Sequence, residues 1–105
     1  MNILMFESAL DPSSGGVQRV CWILTSYLKN SGHSVYFAYK NQKLDFDQIS
    51  SNEKFLYREN SNCEENFIKF LLKHNINVIF NHNQYTKQTL MLFRDCRLIL
   101  SVVDA

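Results

Sequence analysis

The sequence predicts an α/β fold: a mostly parallel sheet in three layers, with helices on both faces. Three observations carry this. Apolar segments of strand length alternate with segments of helical period. The first apolar run, Ile3-Leu4-Met5-Phe6, is continuous rather than alternating, as in a strand covered on both faces. A strand, a helix, a very short turn and a second strand fit within the first 40 or so residues, the pattern of a right-handed βαβ unit.

The elements follow in order. Asn2 to Phe6 reads as the first strand and Glu7 to Gly16 as a loop, since Pro12 disfavours helix at Asp11. Val17 to Lys29 is the clearest helix. Val17, Val20, Cys21, Leu24 and Leu28 recur at helical spacing, and Trp22, Ile23 and Tyr27 widen the apolar surface. Gly32 is placed to end this helix in a left-handed conformation, with Lys29 near the negative end of the dipole. Ser34 to Tyr39 is the second strand, and Lys40 to Asn52 is polar loop. Phe55-Leu56-Tyr57 is a short strand candidate. Asn62-Cys63-Glu64-Glu65 has the form of a capping box before a helix whose apolar face is Phe67, Phe70 and Leu71; it fades at Lys73-His74-Asn75. Asn77 to Asn81 is the next strand, Thr86 to Asp95 a helix, and Arg97 to Val103 the last strand.

Composition narrows the function classes. The 105 residues suffice for one small domain, and 46% hydrophobic with 20% charged residues is ordinary globular material. Net charge is +1, with no basic or acidic block to support nucleic-acid binding. The start lacks a basic n-region, and no run approaches the ~20 apolar residues of a membrane span. Cys21, Cys63 and Cys96 form no close pair, which fits a reduced, cytoplasmic setting; Cys21 falls on an apolar helix face as a small hydrophobe. His33, His74 and His82 are scattered, so no zinc site is expected. His33 and His74 read as structural, the latter as a partner of a helix dipole.

The candidate site is the loop Asp11-Pro12-Ser13-Ser14-Gly15-Gly16-Val17-Gln18-Arg19. Gly15 and Gly16 let backbone approach a ligand, and the following helix aims its free N–H groups and positive dipole end there. Arg19, in the first helical turn, opposes the dipole and is suited to clamping a phosphate or carboxylate; Gln18 offers an amide from the same helix end. Asn81 and His82 follow the third long strand, where polar groups line the ligand crevice of open α/β sheets. His82 is a candidate base or sugar hydrogen-bond partner, and Asp104, after the last strand, a candidate acceptor for a sugar hydroxyl.

Four pieces in order resemble the N-terminal domain of GT-B fold glycosyltransferases of the family 4 type. They are the opening Asn2-Ile3-Leu4-Met5-Phe6; Gly15-Gly16-Val17-Gln18-Arg19, where the family often reads G-G-x-E-R; Lys29-Asn30-Ser31-Gly32-His33-Ser34-Val35, similar to its L-x-x-x-G-H-x-V; and the later Asn77-Val78-Ile79-Phe80-Asn81-His82 and Ile99-Leu100-Ser101-Val102-Val103-Asp104. Gln18 stands where Glu is common, and no histidine follows the last strand.

The resemblance implies a Rossmann-like, acceptor-side half of a retaining glycosyltransferase without a resident cofactor or metal. Gly15, Gly16, Gln18, Arg19, Asn81 and His82 would bind substrate, with His82 and Asp104 as catalytic candidates. The partners implied are a nucleotide-sugar donor, a glycan or lipid-linked acceptor and a C-terminal donor-binding domain. Polysaccharide assembly is the usual context, in the cytoplasm or at the inner face of the membrane. The chain reads as the first part of a longer protein, incomplete as an enzyme alone. Two alternatives stand beside this reading. One is a non-enzymatic flavodoxin-like interaction domain. The other is a dinucleotide-binding domain, against which speak the missing G-x-G-x-x-G and the strand end Tyr39-Lys40, with no acidic ribose partner.

Overall fold

The computed structural model describes residues 1–58, 61–81 and 101–104, with residues 61, 62 and 101–104 described by their backbone. The elements are β1 (Asn2–Glu7), α1 (Gly16–Asn30), β2 (Ser34–Tyr39), β3 (Lys54–Leu56), α2 (Ser61–Lys73), β4 (Val78–Asn81) and β5 (Ser101–Asp104). Short 3-10 turns occupy Pro12–Ser14, Gln42–Leu44 and Ser51–Glu53 within segments the sequence left as loop. The expected helix from Thr86 to Asp95, the first residues of the last expected strand, His82 and Cys96 lie outside the described residues.

The five strands are all parallel and ordered β3-β2-β1-β4-β5. This is the doubly wound 3-2-1-4-5 order, and it differs from the 2-1-3-4-5 order of a flavodoxin-like sheet. The expected α/β class and Rossmann-like sandwich hold. In register, Phe6 stands between Ala38 and Asn81, and Glu7 beside Tyr39. β1 is central, so Ile3, Leu4, Met5 and Phe6 are all buried. Its side chains alternate between two cores. Leu4, Phe6, Ala38 and Ile79 pack under Phe67 and Leu71 of α2. Ile3, Met5, Val35 and Phe37 pack under Trp22, Leu24 and Leu28 of α1, extended by Phe46 and Ile49 from the loop after β2.

The α2 face is an aromatic cluster. Phe67 lies 5.4 Å from Phe6, 5.1 Å from Tyr57 and 5.2 Å from Phe55, centroid to centroid, in tilted and edge-on arrangements that favour π-quadrupole contact. Both helices end by the same device. Gly32 (φ 91) and Asn75 (φ 51) are left-handed. His33 N–H donates to Leu28 C=O at 3.0 Å, and Ile76 N–H to Leu71 C=O at 3.0 Å. These are Schellman closures, with Asn taking the glycine role in α2.

Three sequence expectations need correction. Val17 and Val20 face solvent, while the expected Cys21, Leu24 and Leu28 do face the sheet, joined there by Gln18, Thr25 and Trp22. α1 carries apolar residues around most of its circumference, so periodicity alone leaves its rotation open. The side holding small and polar groups turns inward because Glu7 lies beneath it and needs a polar neighbour. Second, α2 starts at Ser61, so Asn62 lies inside the first turn rather than at the N-cap. Third, His74, at the end of α2, is drawn into aromatic packing, which opposes a charge on its ring. Burial, and then the positive charge of Lys73, lower its pKa, and its ring lies 4.2 Å from Tyr36 and 4.5 Å from Phe70. His33, read as structural, accordingly meets the N-terminal ammonium through Nδ1 at 3.1 Å.

The two faces respond differently to substitution. Phe67→Ala is expected to lower unfolding free energy by about 3–5 kcal/mol, the usual cost of emptying an aromatic core site. Ile23→Lys, on the outer side of α1 where Ile23 is 63% exposed, is expected to change it by less than about 0.5 kcal/mol. Urea denaturation of the two variants checks the pair; equal losses would contradict the helix rotation described.

Candidate functional site

The site is built at the carboxyl edge of the sheet. β1 and β4 are neighbours, and their connections depart in opposite directions, through α1 toward β2 and from β4 toward β5. A crevice at such a switch point is where open α/β sheets hold ligands. Three things converge there: the end of β1 at Glu7, the end of β4 at Asn81, and the N-terminus of α1 at Gly15-Gly16.

The loop from β1 to α1 is held from two sides. Leu10 and Asp11 both donate backbone N–H to Leu44 C=O, at 2.9 and 3.1 Å, which staples this loop to the one after β2. The Asp11 carboxylate accepts from Ser13 N–H at 2.9 Å and from Ser13 Oγ at 2.8 Å. These bonds hold its pKa below the ordinary aspartate value. Asp11 thereby caps the 3-10 turn rather than α1. The N-cap of α1 is Gly15, and no side chain caps this helix. The opening N–H groups of α1 are thus left to the mouth.

The two glycines differ. Gly15 is extended (φ 174), so its backbone demands no glycine, but a Cβ there would meet Gln18 Oε1 at 2.7 Å. A Cβ on Gly16 would meet nothing within 4 Å. Gly16 is therefore open space at the helix start.

The remaining expected residues separate. Gln18 is buried, and its Nε2 donates to Ser8 Oγ at 3.3 Å, so its amide braces β1's exit. Arg19 is exposed and has no ion pair among the described residues. Asn81 is buried at the end of β4, and its backbone pairs with Asp104 of β5. The structure thus brings Gly15, Gly16, Gln18, Asn81 and the Asp104 backbone to one edge. His82 lies outside the described residues.

Sequence reasoning missed Glu7. It extends β1 by one residue and is 2% exposed, beneath α1. The Cys21 thiol hydrogen-bonds its carboxyl, and Oε1 has no partner among the described residues. Burial pushes its pKa up to about 8, against a smaller opposing effect of Cys21. At neutral pH it is largely a neutral acid. Cys21 is pushed up to about 12 by burial and by the neighbouring Glu7, so it is an inert donor rather than a nucleophile. The available signal was an acidic residue directly continuing a fully apolar strand, without a turn residue between.

A second missed feature adjoins the mouth. A cleft of about 680 Å³ is lined by Ser8, Lys40, Asn41, Gln42 and Lys43, where β1 and β2 end. No group of three or more His, Cys, Asp or Glu side chains suited to a metal occurs among the described residues. Among them no helix is long and apolar enough to cross a membrane. No protein-family model, curated protein or solved structure matches the chain.

Glu7 makes stability pH-dependent with a definite sign. Its folded-state pKa, about 8, lies above the 4.5 of an ordinary glutamate. Between those values the folded state holds more protons than the unfolded one, so stability falls as pH rises through that window. Glu7→Gln is expected to flatten this part of the profile. Thermal melts of both proteins from pH 4.5 to above 8 check it; an unchanged slope would show that Glu7 ionises freely in the fold.

Proposed function

We propose that the chain is the acceptor-side, Rossmann-like part of a retaining glycosyltransferase of the GT-B, family 4 type. The observation that carries the reading is the uncapped α1 N-terminus with Gly15-Gly16 at the β1/β4 switch point of a 3-2-1-4-5 sheet. The order of sequence pieces resembling that family is consistent with it. Glycosyl transfer needs charge stabilisation on a departing phosphate and close positioning of an acceptor hydroxyl. The helix dipole and the open backbone at Gly16 supply the first from this half. Asn81 supplies a neutral polar group at the crevice wall, with His82 and Asp104 as the candidate residues next to it.

A donor-binding half is required to complete this chemistry, on the same polypeptide or added to it. The nucleotide sugar would span the two halves, and a glycan or lipid-linked acceptor would lie on this one. The working compartment in this reading is the cytoplasm, with the acceptor lipid placing the protein at the inner membrane face.

The test is a sugar-transfer assay on the chain joined to its donor-binding half. Gly16→Ala is expected to leave folding intact, since a Cβ there meets nothing within 4 Å. It is expected to lower kcat/KM by about 100-fold, the usual cost of displacing a bound group by about 1 Å. Unchanged transfer by Gly16→Ala would remove backbone approach from the mechanism. Robust turnover by the 105-residue chain alone would overturn the division of labour between halves.

A further inference from the structure

We propose that the cleft beside the mouth is a separate binding site for a phosphate or diphosphate group. It goes beyond glycosyl transfer and holds whichever reaction the mouth serves. The cleft is lined by Ser8, Lys40, Asn41, Gln42 and Lys43. Its two side-chain amides are each held in place by a bond to their oxygen. Asn41 Oδ1 accepts from Lys43 N–H at 3.1 Å. Gln42 Oε1 accepts from Arg58 Nη2 at 2.8 Å. A guanidinium and a backbone N–H only donate, so both amides are fixed with their NH2 groups turned away from those bonds. Ser8 Oγ already accepts from Gln18 and retains its own proton to donate. Lys43 has no ion pair among the described residues, and Arg58 adds a second positive charge one residue behind the wall. The Lys40 ammonium is held at the rim over Phe6 and Tyr57, 5.9 and 5.8 Å from their centroids.

The frame behind these donors is rigid. Lys40 and Asn41 N–H both donate to Ser8 C=O, at 3.2 and 2.8 Å, and Leu44 N–H to Asn41 C=O at 3.1 Å. Asp45 is engaged by Lys54 Nζ at 2.9 Å, and Asp11 by Ser13. A wall of amide NH2, hydroxyl and ammonium donors suits a group made of acceptor oxygens around a concentrated negative charge. A phosphoryl group is that group.

Three probes distinguish the sources of such a group: inorganic pyrophosphate, a nucleoside diphosphate, and phosphatidylglycerol vesicles set against phosphatidylcholine vesicles. The readout is amide chemical shift on the whole 105-residue chain. Saturable shifts confined to Ser8 and the segment Lys40–Lys43 are expected, weakened by added salt. Lys43→Gln is expected to weaken binding about fivefold, the scale of one exposed charge contact. Lys69→Gln, on α2 outside the cleft, is expected to leave binding unchanged. Binding of pyrophosphate and the nucleotide assigns a free phosphate ester; binding of phosphatidylglycerol alone assigns a lipid headgroup. Either result upholds the site. No saturable binding of any probe, shifts centred elsewhere, or equal losses in Lys43→Gln and Lys69→Gln would overturn it. Circular dichroism of each variant separates lost binding from lost fold.

Discussion

Every other element answers to the burial of β1 on both faces. A central parallel strand has no solvent side, so Ile3 and Met5 need one cover and Leu4 and Phe6 another. α1 supplies the first and α2 the second. Because α1 leads from β1 to β2 and α2 from β3 to β4, the covers must lie on opposite faces if both crossovers are right-handed. That requirement splits the strand order around β1, with β2 and β3 on one side and β4 and β5 on the other. The split opens the crevice. The site is thus a consequence of burying one strand, and its location needs no separate cause.

The same burial explains the chemistry at the end of the strand. β1 stays covered through Glu7, so the first ionisable residue of the chain is dehydrated before the loop begins. Dehydrating a carboxylate costs more than protonating it near neutral pH, and the acid form prevails. A large apolar residue above it would leave the carboxyl without a polar neighbour. α1 therefore presents Gln18, Cys21 and Thr25 inward and turns Val17, Val20, Ile23 and Tyr27 out. Thr25 spends its hydroxyl on Cys21 C=O at 2.7 Å, which leaves the thiol of Cys21 for Glu7. A chain of short side chains thus links the helix rotation to one buried proton.

This is also where legibility in the sequence stopped. The strand-helix alternation, the left-handed Gly32 and the three-layer architecture follow from local rules, because continuous apolar runs and a glycine after a lysine-bearing helix end leave few alternatives. The rotation of α1 followed only in part: Cys21, Leu24 and Leu28 turn inward, whereas Val17 and Val20 turn out. Its apolar residues surround the helix, and the deciding partner, Glu7, was read as loop. Asn75, at the position where the sequence ends α2, takes the left-handed conformation that asparagine adopts less often than glycine. For the site, the place of Gly15-Gly16 and Asn81 at the carboxyl ends of strands was readable from chain order, whereas the β1/β4 switch point needed the strand order. The cleft at Lys40–Lys43 was not readable, since its character depends on which amide atoms are already bonded. Arg58, 15 positions beyond Lys43 in the sequence, settles one of them.

The mouth and the cleft share one wall, and this gives the edge a polarity. Ser8 belongs to both: its hydroxyl meets Gln18 of α1, and its carbonyl holds the loop after β2. Leu44 C=O ties that loop back to Leu10 and Asp11. The β1 exit is therefore a rigid partition between two recesses of unlike chemistry. On the α1 side stand backbone N–H groups with a neutral carboxylic acid beneath them. On the β2 side stand amide and ammonium donors. A ligand with a phosphoryl group at one end and hydroxyls at the other would meet a complementary surface on each side of Ser8 and would be oriented by that difference. Orientation of this kind comes from the partition, because two recesses fixed to one backbone segment cannot move independently.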